Sequence, residues 1–191
     1  MARAVQRRTL ETRARLLAAA ESVIAEQGFA ALRVEEVVLR AGTAKGTFFA
    51  HFPDKDALVA QIVGARFALY LAEMAEGPAP ETVADMVRVQ MPLIGFMTSE
   101  RYVFDVFFRY SGAAASDEIG PIAEGIVTYV EVVTDWIAGG PFRTDVAPDV
   151  LAEGVLAFLL QAMAVRFCAL HASQTVEETF APYLQAWLLP R

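Results

Sequence analysis

Between Thr9 and Gln27 the apolar residues Leu16, Ala19, Ala20 and Val23 fall at i, i+3, i+4 and i+7, the spacing of one helix face. Gly28 follows where a helix commonly ends in a left-handed residue. Val34, Val37, Val38 and Ala41 repeat the spacing over a shorter segment, and Ala44, Phe48 and Phe52 make a third stripe. Ala41-Gly42 before that third segment and Pro53-Asp54 after it delimit a helix of about two turns. Three short stripes make one small core, and the last two segments, joined across Gly42, have the layout of a helix-turn-helix. On the third segment Lys45, Gly46, Thr47, Phe49 and Ala50 cover the circumference that the apolar stripe leaves. Gly46 and Ala50, four apart and nearly without side chains, let such a helix approach a wide groove closely, with Lys45 and Thr47 beside them to reach base edges or phosphates.

Further along, the pattern predicts a helix from Asp54 to Met74 with Leu58, Ile62, Ala65 and Leu69 on one stripe, broken by Gly77-Pro78-Ala79-Pro80. A helix over Glu81–Met97 contains Pro92 and Gly95 and is expected to kink. The run from Tyr102 to Tyr110 in the next segment, Ser99–Ser111, is too aromatic for a surface helix of a simple monomer. After a flexible stretch at 112–116, a helix over Asp117–Ala138 ends at Gly139-Gly140-Pro141. The helix expected over Pro148–Leu170 carries Leu151, Val155, Phe158, Leu159, Ala162, Met163 and Phe167 on more than one face, which predicts burial toward both its own domain and a partner. Thr175 and Glu178 have capping-box spacing for a last helix to Leu189, with Pro182 expected to kink it. Met1–Arg8 has three arginines and no apolar period, and reads as a mobile arm, either solvated or touching DNA. The fold class expected is all-α, with a helix-turn-helix domain at 1–55 and a helical domain at 56–191.

Composition changes the picture at one point. The net charge of −7 is uneven: residues 1–55 hold nine Lys or Arg and six Asp or Glu, the remainder seven and seventeen. The basic end suits a phosphate backbone and the acidic end is repelled from it. One Cys permits no intrachain disulfide, and with no signal-like run and no segment judged long enough to span a bilayer, a soluble cytoplasmic protein is expected. Catalytic chemistry finds little footing. No Gly-rich phosphate loop follows a strand, no metal-ligand set occurs, and no carboxylate pair is framed by a motif. His51 lacks ligand partners at metal spacing and suits a half-buried capping role better. Cys168 and His171 share one helix turn, but a Cys nucleophile also needs an oxyanion site and a third group, so both are assigned to interface or core. No catalytic residue, metal or cofactor is expected.

From Thr12 to Leu58 the chain resembles the DNA-binding domain of the tetracycline-repressor (TetR) family of transcriptional regulators. The resemblance is carried by Arg13 with Leu16 and Ala19-Ala20, Gly28-Phe29, Val34 to Gly42, Lys45-Gly46-Thr47-Phe48-Phe49 and Phe52-Pro53-Asp54-Lys55-Asp56-Ala57-Leu58. It implies that Lys45, Gly46 and Thr47 read bases and phosphates and that His51 and Lys55 touch phosphate, with Thr43 a further DNA contact. Two positions depart from the family pattern. Arg33 stands where the family usually has Ser or Thr; it cannot accept a capping bond but offers a phosphate two donors. Phe49 replaces the usual Tyr, losing a hydroxyl worth about 0.5–1.5 kcal/mol; it is left to touch a thymine methyl, shield phosphate contacts from water, or pack on the first helix.

The resemblance also implies a homodimer through the last two helices, double-stranded near-palindromic operator DNA as partner, and a small hydrophobic or aromatic ligand. Phe67, Tyr70, Gln90, Met91, Phe96, Phe104, Phe107, Phe108, Tyr129 and Met163 are candidates to contact that ligand, with Asp105 and Arg109 as further polar groups. The function expected is a ligand-responsive regulator, a repressor released by its ligand. The alternative is a helical carrier or enzyme whose helix-turn-helix is only a packing unit; an activator would share every residue with the repressor.

Overall fold

The computed structural model describes residues 2–111, 119–167 and 173–190, and of residues 2–5 the backbone alone. Expectations placed on 112–116, on the helix end at Leu170, and on Cys168 and His171 lie outside the described residues. Among those residues the structure is helical, with no strand: α1 (Ala2–Gln27), α2 (Val34–Arg40), α3 (Lys45–His51), α4 (Lys55–Glu76), α5 (Val83–Met97), α6 (Arg101–Tyr110), α7 (Pro121–Gly139), α8 (Pro148–Arg166) and α9 (Val176–Leu188). The chain forms two compact units, Met1–Val63 and Gly64–Arg191, and α4 passes from one into the other.

In the first unit α1 starts at Ala2, so the expected arm is part of the helix. Little in 2–8 opposes it: apart from Val5 the segment holds Ala, Arg and Gln, all good helix formers, and neither Gly nor Pro. Arg7 and Glu11 pair one turn apart at 3.1 Å. Gly28, at φ +85°, ends α1, and its N–H donates to the Ile24 carbonyl at 2.8 Å. Leu16, Ala20 and Val23 of α1 are fully buried beside Leu32, Val37, Phe48, Phe52, Leu58 and Val59, so the three short stripes do share one core.

α4 follows its expected stripe only as far as Ile62. Beyond the boundary the buried residues are Phe67, Leu71 and Met74, whereas Ala65 and Leu69 are exposed. At 100° per residue the second set lies roughly opposite Leu58 and Ile62. Both sides of α4 are apolar, so which one is covered depends on the elements packed against it. The Cβ position of Gly125 on α7 falls 2.5 Å from the Phe67 ring, which therefore lies flat against a helix without a side chain there.

The second unit is built from α5 to α9 with the C-terminal part of α4. Thr82 caps α5 by accepting from the Asp85 N–H at 3.1 Å. The Thr175–Glu178 capping box opens α9 as expected, with both reciprocal bonds present. α5 and α9 continue as helices through Pro92 and Pro182. On α8 the buried residues Leu151, Ala152, Val155, Leu159, Ala162 and Met163 form one face, with Phe158 and Phe167 half-buried beside it. The indole of Trp187 lies over Gly154 and donates to the Leu151 carbonyl at 3.0 Å, pinning α9 on α8. Arg143 closes the end of α9: its backbone N–H donates to the Leu188 carbonyl at 2.9 Å. One expectation needs correction: α4 and α8 are each long and apolar enough, by length and composition, to cross a membrane. Length and composition alone do not separate such helices from core helices: α4 buries apolar residues on two sides within the protein and α8 along one face.

Two glycine substitutions test the packing of the second unit. Gly125→Ala places a methyl against the Phe67 ring and is expected to destabilise by about 1–3 kcal/mol despite the better helix former. Gly95→Ala enters open space in α5 and is expected to stabilise by up to about 1 kcal/mol. Urea titration of both variants checks the pair; equal effects would contradict the close approach at Gly125.

Candidate nucleic-acid interface

A helix of seven residues such as α3 forms few internal bonds and needs support from outside. Phe48 and Phe52 supply it: both rings are buried, with centroids 5.6 Å apart. They fix the inward side of α3, and Gly46 and Ala50 are exposed on the other. Gly42, at φ +61°, makes the turn before α3, a conformation that favours glycine. Asp54 starts α4 just beyond, its carboxylate accepting from the Ala57 N–H at 2.7 Å.

The C-terminal carbonyls of both short helices are held by α1. Arg15 donates to the Ala41 carbonyl at 3.3 Å, after α2, and Arg13 donates to the His51 carbonyl at 3.1 Å, at the end of α3. The Arg13 guanidinium also lies 4.3 Å from the Phe52 ring centroid, a cation–π contact. Cations at helix C-termini oppose the partial negative charge of the unpaired carbonyls. Arg40 ties α2 to α1: it forms a two-pronged bond to Glu26 at 2.6 and 2.8 Å, bonds Glu36 at 2.7 Å, and donates to the Ser22 hydroxyl at 2.9 Å. The Arg40 hydrogen bond holds the Glu26 carboxyl below its ordinary range, so this clamp is present at neutral pH and is lost as acid protonates Glu26.

The expected DNA contacts fare differently. Lys45, Gly46 and Phe49 are exposed along one side of the helix-turn-helix, and Thr47, His51 and Lys55 are half-buried. Phe49 is 48% exposed and stands edge-on to Phe48 at 5.3 Å, so it covers the core from outside. Arg33 does stand at the α2 N-cap and makes no capping bond; its guanidinium turns back to the carbonyls of Ala30 and Leu32 at 3.0 and 3.1 Å. The Thr43 hydroxyl is buried without a hydrogen-bond partner, so its oxygen is not on the surface that Lys45 occupies. Lys45 itself is paired with Glu35 at 2.5 Å. Sequence reasoning missed Arg15, Arg40 and Glu35, whose partners lie up to 26 residues away; Arg13 was legible only as part of a family pattern.

The ligand candidates take part in several side-chain contacts of the helical unit. Phe67 and Phe107 stack edge to face at 5.4 Å in the core. Gln90 and Tyr129, both fully buried, form a polar pair: the Tyr129 hydroxyl donates to Gln90 Oε1, and Gln90 Nε2 donates to the Met86 carbonyl at 2.7 Å. Burial pushes the Tyr129 phenol well above its ordinary range, keeping it a donor. Tyr70 stacks on Phe96 at 5.7 Å with both half-buried, and Met91 is half-buried as well. Phe104 lies between Phe108, which is 50% exposed, and Phe167, at 6.0 and 5.6 Å. Met163 is buried, while Asp105 and Arg109 are exposed, with Asp105 facing Arg101 across 3.7 Å. Among the described residues no group of three or more His, Cys, Asp or Glu is placed to hold a metal ion.

Removing the Arg13 support is expected to loosen α3 locally. In Arg13→Ala a carbonyl bond and a cation–π contact disappear, together about 1–2 kcal/mol, and amide exchange over 48–52 should speed by roughly 5- to 30-fold. Unchanged exchange there would show that Phe48 and Phe52 hold the helix alone.

Residues 16–62 match the sequence model for bacterial regulatory proteins of the tetR family. No curated protein matches the chain significantly. Among solved structures, the fold is shared with FadR of Thermus thermophilus, a TetR family transcriptional repressor in complex with lauroyl-CoA, at 17% identity over 92% of both chains and a TM-score of 0.65. It is shared with reduced NemR of E. coli at 16% identity, over 94% of this chain and 98% of that one, with a TM-score of 0.61. SmeT in complex with triclosan matches at 20% identity over 93% and 91%, with a TM-score of 0.58; SmeT is the repressor of the Stenotrophomonas maltophilia multidrug efflux pump SmeDEF. Residues 16–62 thus carry the N-terminal domain of bacterial tetR-family regulators, and the chain shares the all-helical fold of these TetR-family structures.

Proposed function

We propose that this chain is a TetR-family transcriptional regulator, a cytoplasmic homodimeric repressor that binds a near-palindromic operator through two α2–α3 units and leaves it when a small hydrophobic or aromatic molecule occupies the helical unit. The observation that carries this is the presentation of α3: Gly46 and Ala50 exposed, Lys45 beside them, and the opposite side anchored by buried Phe48 and Phe52. A helix with little bulk on its free side enters a major groove to within reach of base edges. Lys45, Gly46, Thr47 and Phe49 are assigned to that groove, and Arg33, His51 and Lys55 to the flanking phosphates. Thr43 takes part only if its turn opens.

Dimerisation is assigned to α8 and α9. Phe158 lies 5.2 Å from Tyr183 and 5.8 Å from Trp187, centroid to centroid, and all three rings are half-buried. Aromatic residues left partly covered on paired helices suit a second copy of the same surface under two-fold symmetry. A dimer places its two recognition helices about one turn of DNA, 34–36 Å, apart or at a multiple of it. The ligand class draws support from FadR with lauroyl-CoA and SmeT with triclosan, and from the aromatic content of α4 to α7 here. A ligand releases DNA only through a difference in affinity between two conformations. α4 belongs to both units and is the element through which such a difference would pass.

Fluorescence anisotropy against duplexes from the protein's own upstream region tests the DNA assignment. Expected are tighter binding to an inverted repeat than to random duplex, affinity falling with salt at a slope of about −0.9 per phosphate neutralised, and weaker specific binding for Lys45→Ala and Thr47→Ala. Equal affinity for both duplexes would favour a helical carrier whose helix-turn-helix only packs. Hydrophobic ligands that raise the melting temperature should also lower operator affinity.

A further inference from the structure

The cations of the helix-turn-helix are not equally available to DNA. Arg40 is engaged by Glu26 and Glu36, and Arg33 turns its guanidinium onto its own backbone carbonyls. Lys45, the first residue of α3, extends instead to the first turn of α2, where Glu35 Oε1 lies 2.5 Å from its Nζ. Both side chains are exposed, at 57% and 68%. The hydrogen bond from Lys45 holds the Glu35 carboxyl below its ordinary range, so Glu35 carries its charge near neutral pH. A cation paired at this distance presents almost no net charge to an approaching phosphate. An exposed pair is also weak enough to exchange partners.

We propose that Glu35 is an internal competitor for the phosphate at Lys45, occupying the ammonium in the free protein and lowering affinity for duplex of any sequence. This rests on the DNA-binding reading above and gives Glu35 a role in setting overall affinity although it need touch no base. Phosphate contacts are blind to sequence and base contacts are not. A carboxylate that competes for the phosphate contact therefore weakens random and operator duplex alike. Glu35 also remains beside the phosphates after exchange, where like charge opposes binding.

The test is a salt titration of wild type, Glu35→Gln, Lys45→Ala and the double variant against random and operator duplex. Expected for Glu35→Gln is about 3- to 10-fold tighter binding to random duplex at low salt, with the gain shrinking as added salt screens the lost charge. The ratio of operator to random affinity should stay the same, because the phosphate contact is common to both. In the Lys45→Ala background the gain from Glu35→Gln should shrink to less than half in logarithmic units, because the competition acts through Lys45. Glu35→Gln binding no tighter than wild type overturns the proposal, and weaker binding shows that Glu35 instead positions Lys45 for DNA. A full gain without Lys45 overturns it too, because general repulsion then suffices. Absence of duplex binding by all four proteins at 50 mM salt would overturn the DNA-binding reading as well, which separates the two failures.

Discussion

Everything the first unit offers to a partner depends on holding a helix of seven residues still. So short a helix has too few internal bonds to persist in water, because nucleation costs more than a pair of turns returns. The buried rings of Phe48 and Phe52 fix its rotation, and Arg13 fixes its C-terminal end through the His51 carbonyl and the Phe52 ring. Arg15 does the same for α2 at the Ala41 carbonyl. Residues 13 and 15 thus stand two apart on α1 and close the ends of both helices of the motif. The long helix is the frame, and the short helices are set against it by apolar contact on one side and charge at the ends.

Electrostatics in this unit work at two levels. The excess of basic residues at 1–55 sets a favourable field, but several of those bases have structural duties. Arg40 clamps α1 to α2, Arg13 and Arg15 cap, and Arg33 bends toward its own chain. Counting charges in a sequence therefore overstates what is free to meet phosphate. Lys45 is the clearest case, since its partner Glu35 belongs to the same exposed surface.

Local chemistry made much of the fold legible. Gly28 ends α1 in the left-handed region, and Thr175 with Glu178 opens α9 by a bond pattern that depends on residues three apart. The stripes of α1 to α3 are legible for the same reason, since each has one apolar side. α4 is not: both its sides are apolar, and only tertiary packing, such as the bare backbone of Gly125 under Phe67, decides that Leu69 stays outside. The start of α1 was missed because arginines without an apolar period look like a tail, although they form helix readily. Within the candidate site, exposure of Lys45 and Gly46 followed from the stripe opposite them. The buried Thr43 hydroxyl and the Glu35 partner depend on contacts between helices and have no local signature. The aromatic residues chosen for a ligand stack on one another in the helical unit, and helix periodicity places a core residue and a pocket residue at the same positions.

The claim that α3 is a rigid, small-sided reading element is tested most directly by nuclear magnetic resonance of labelled protein titrated with duplex carrying the upstream inverted repeat. The amides of Gly46 and Ala50 should shift most, while the Phe48 and Phe52 ring signals keep their core positions. Shifts confined to the helical unit, or broad loss of the Phe48 and Phe52 signals on DNA addition, would contradict it.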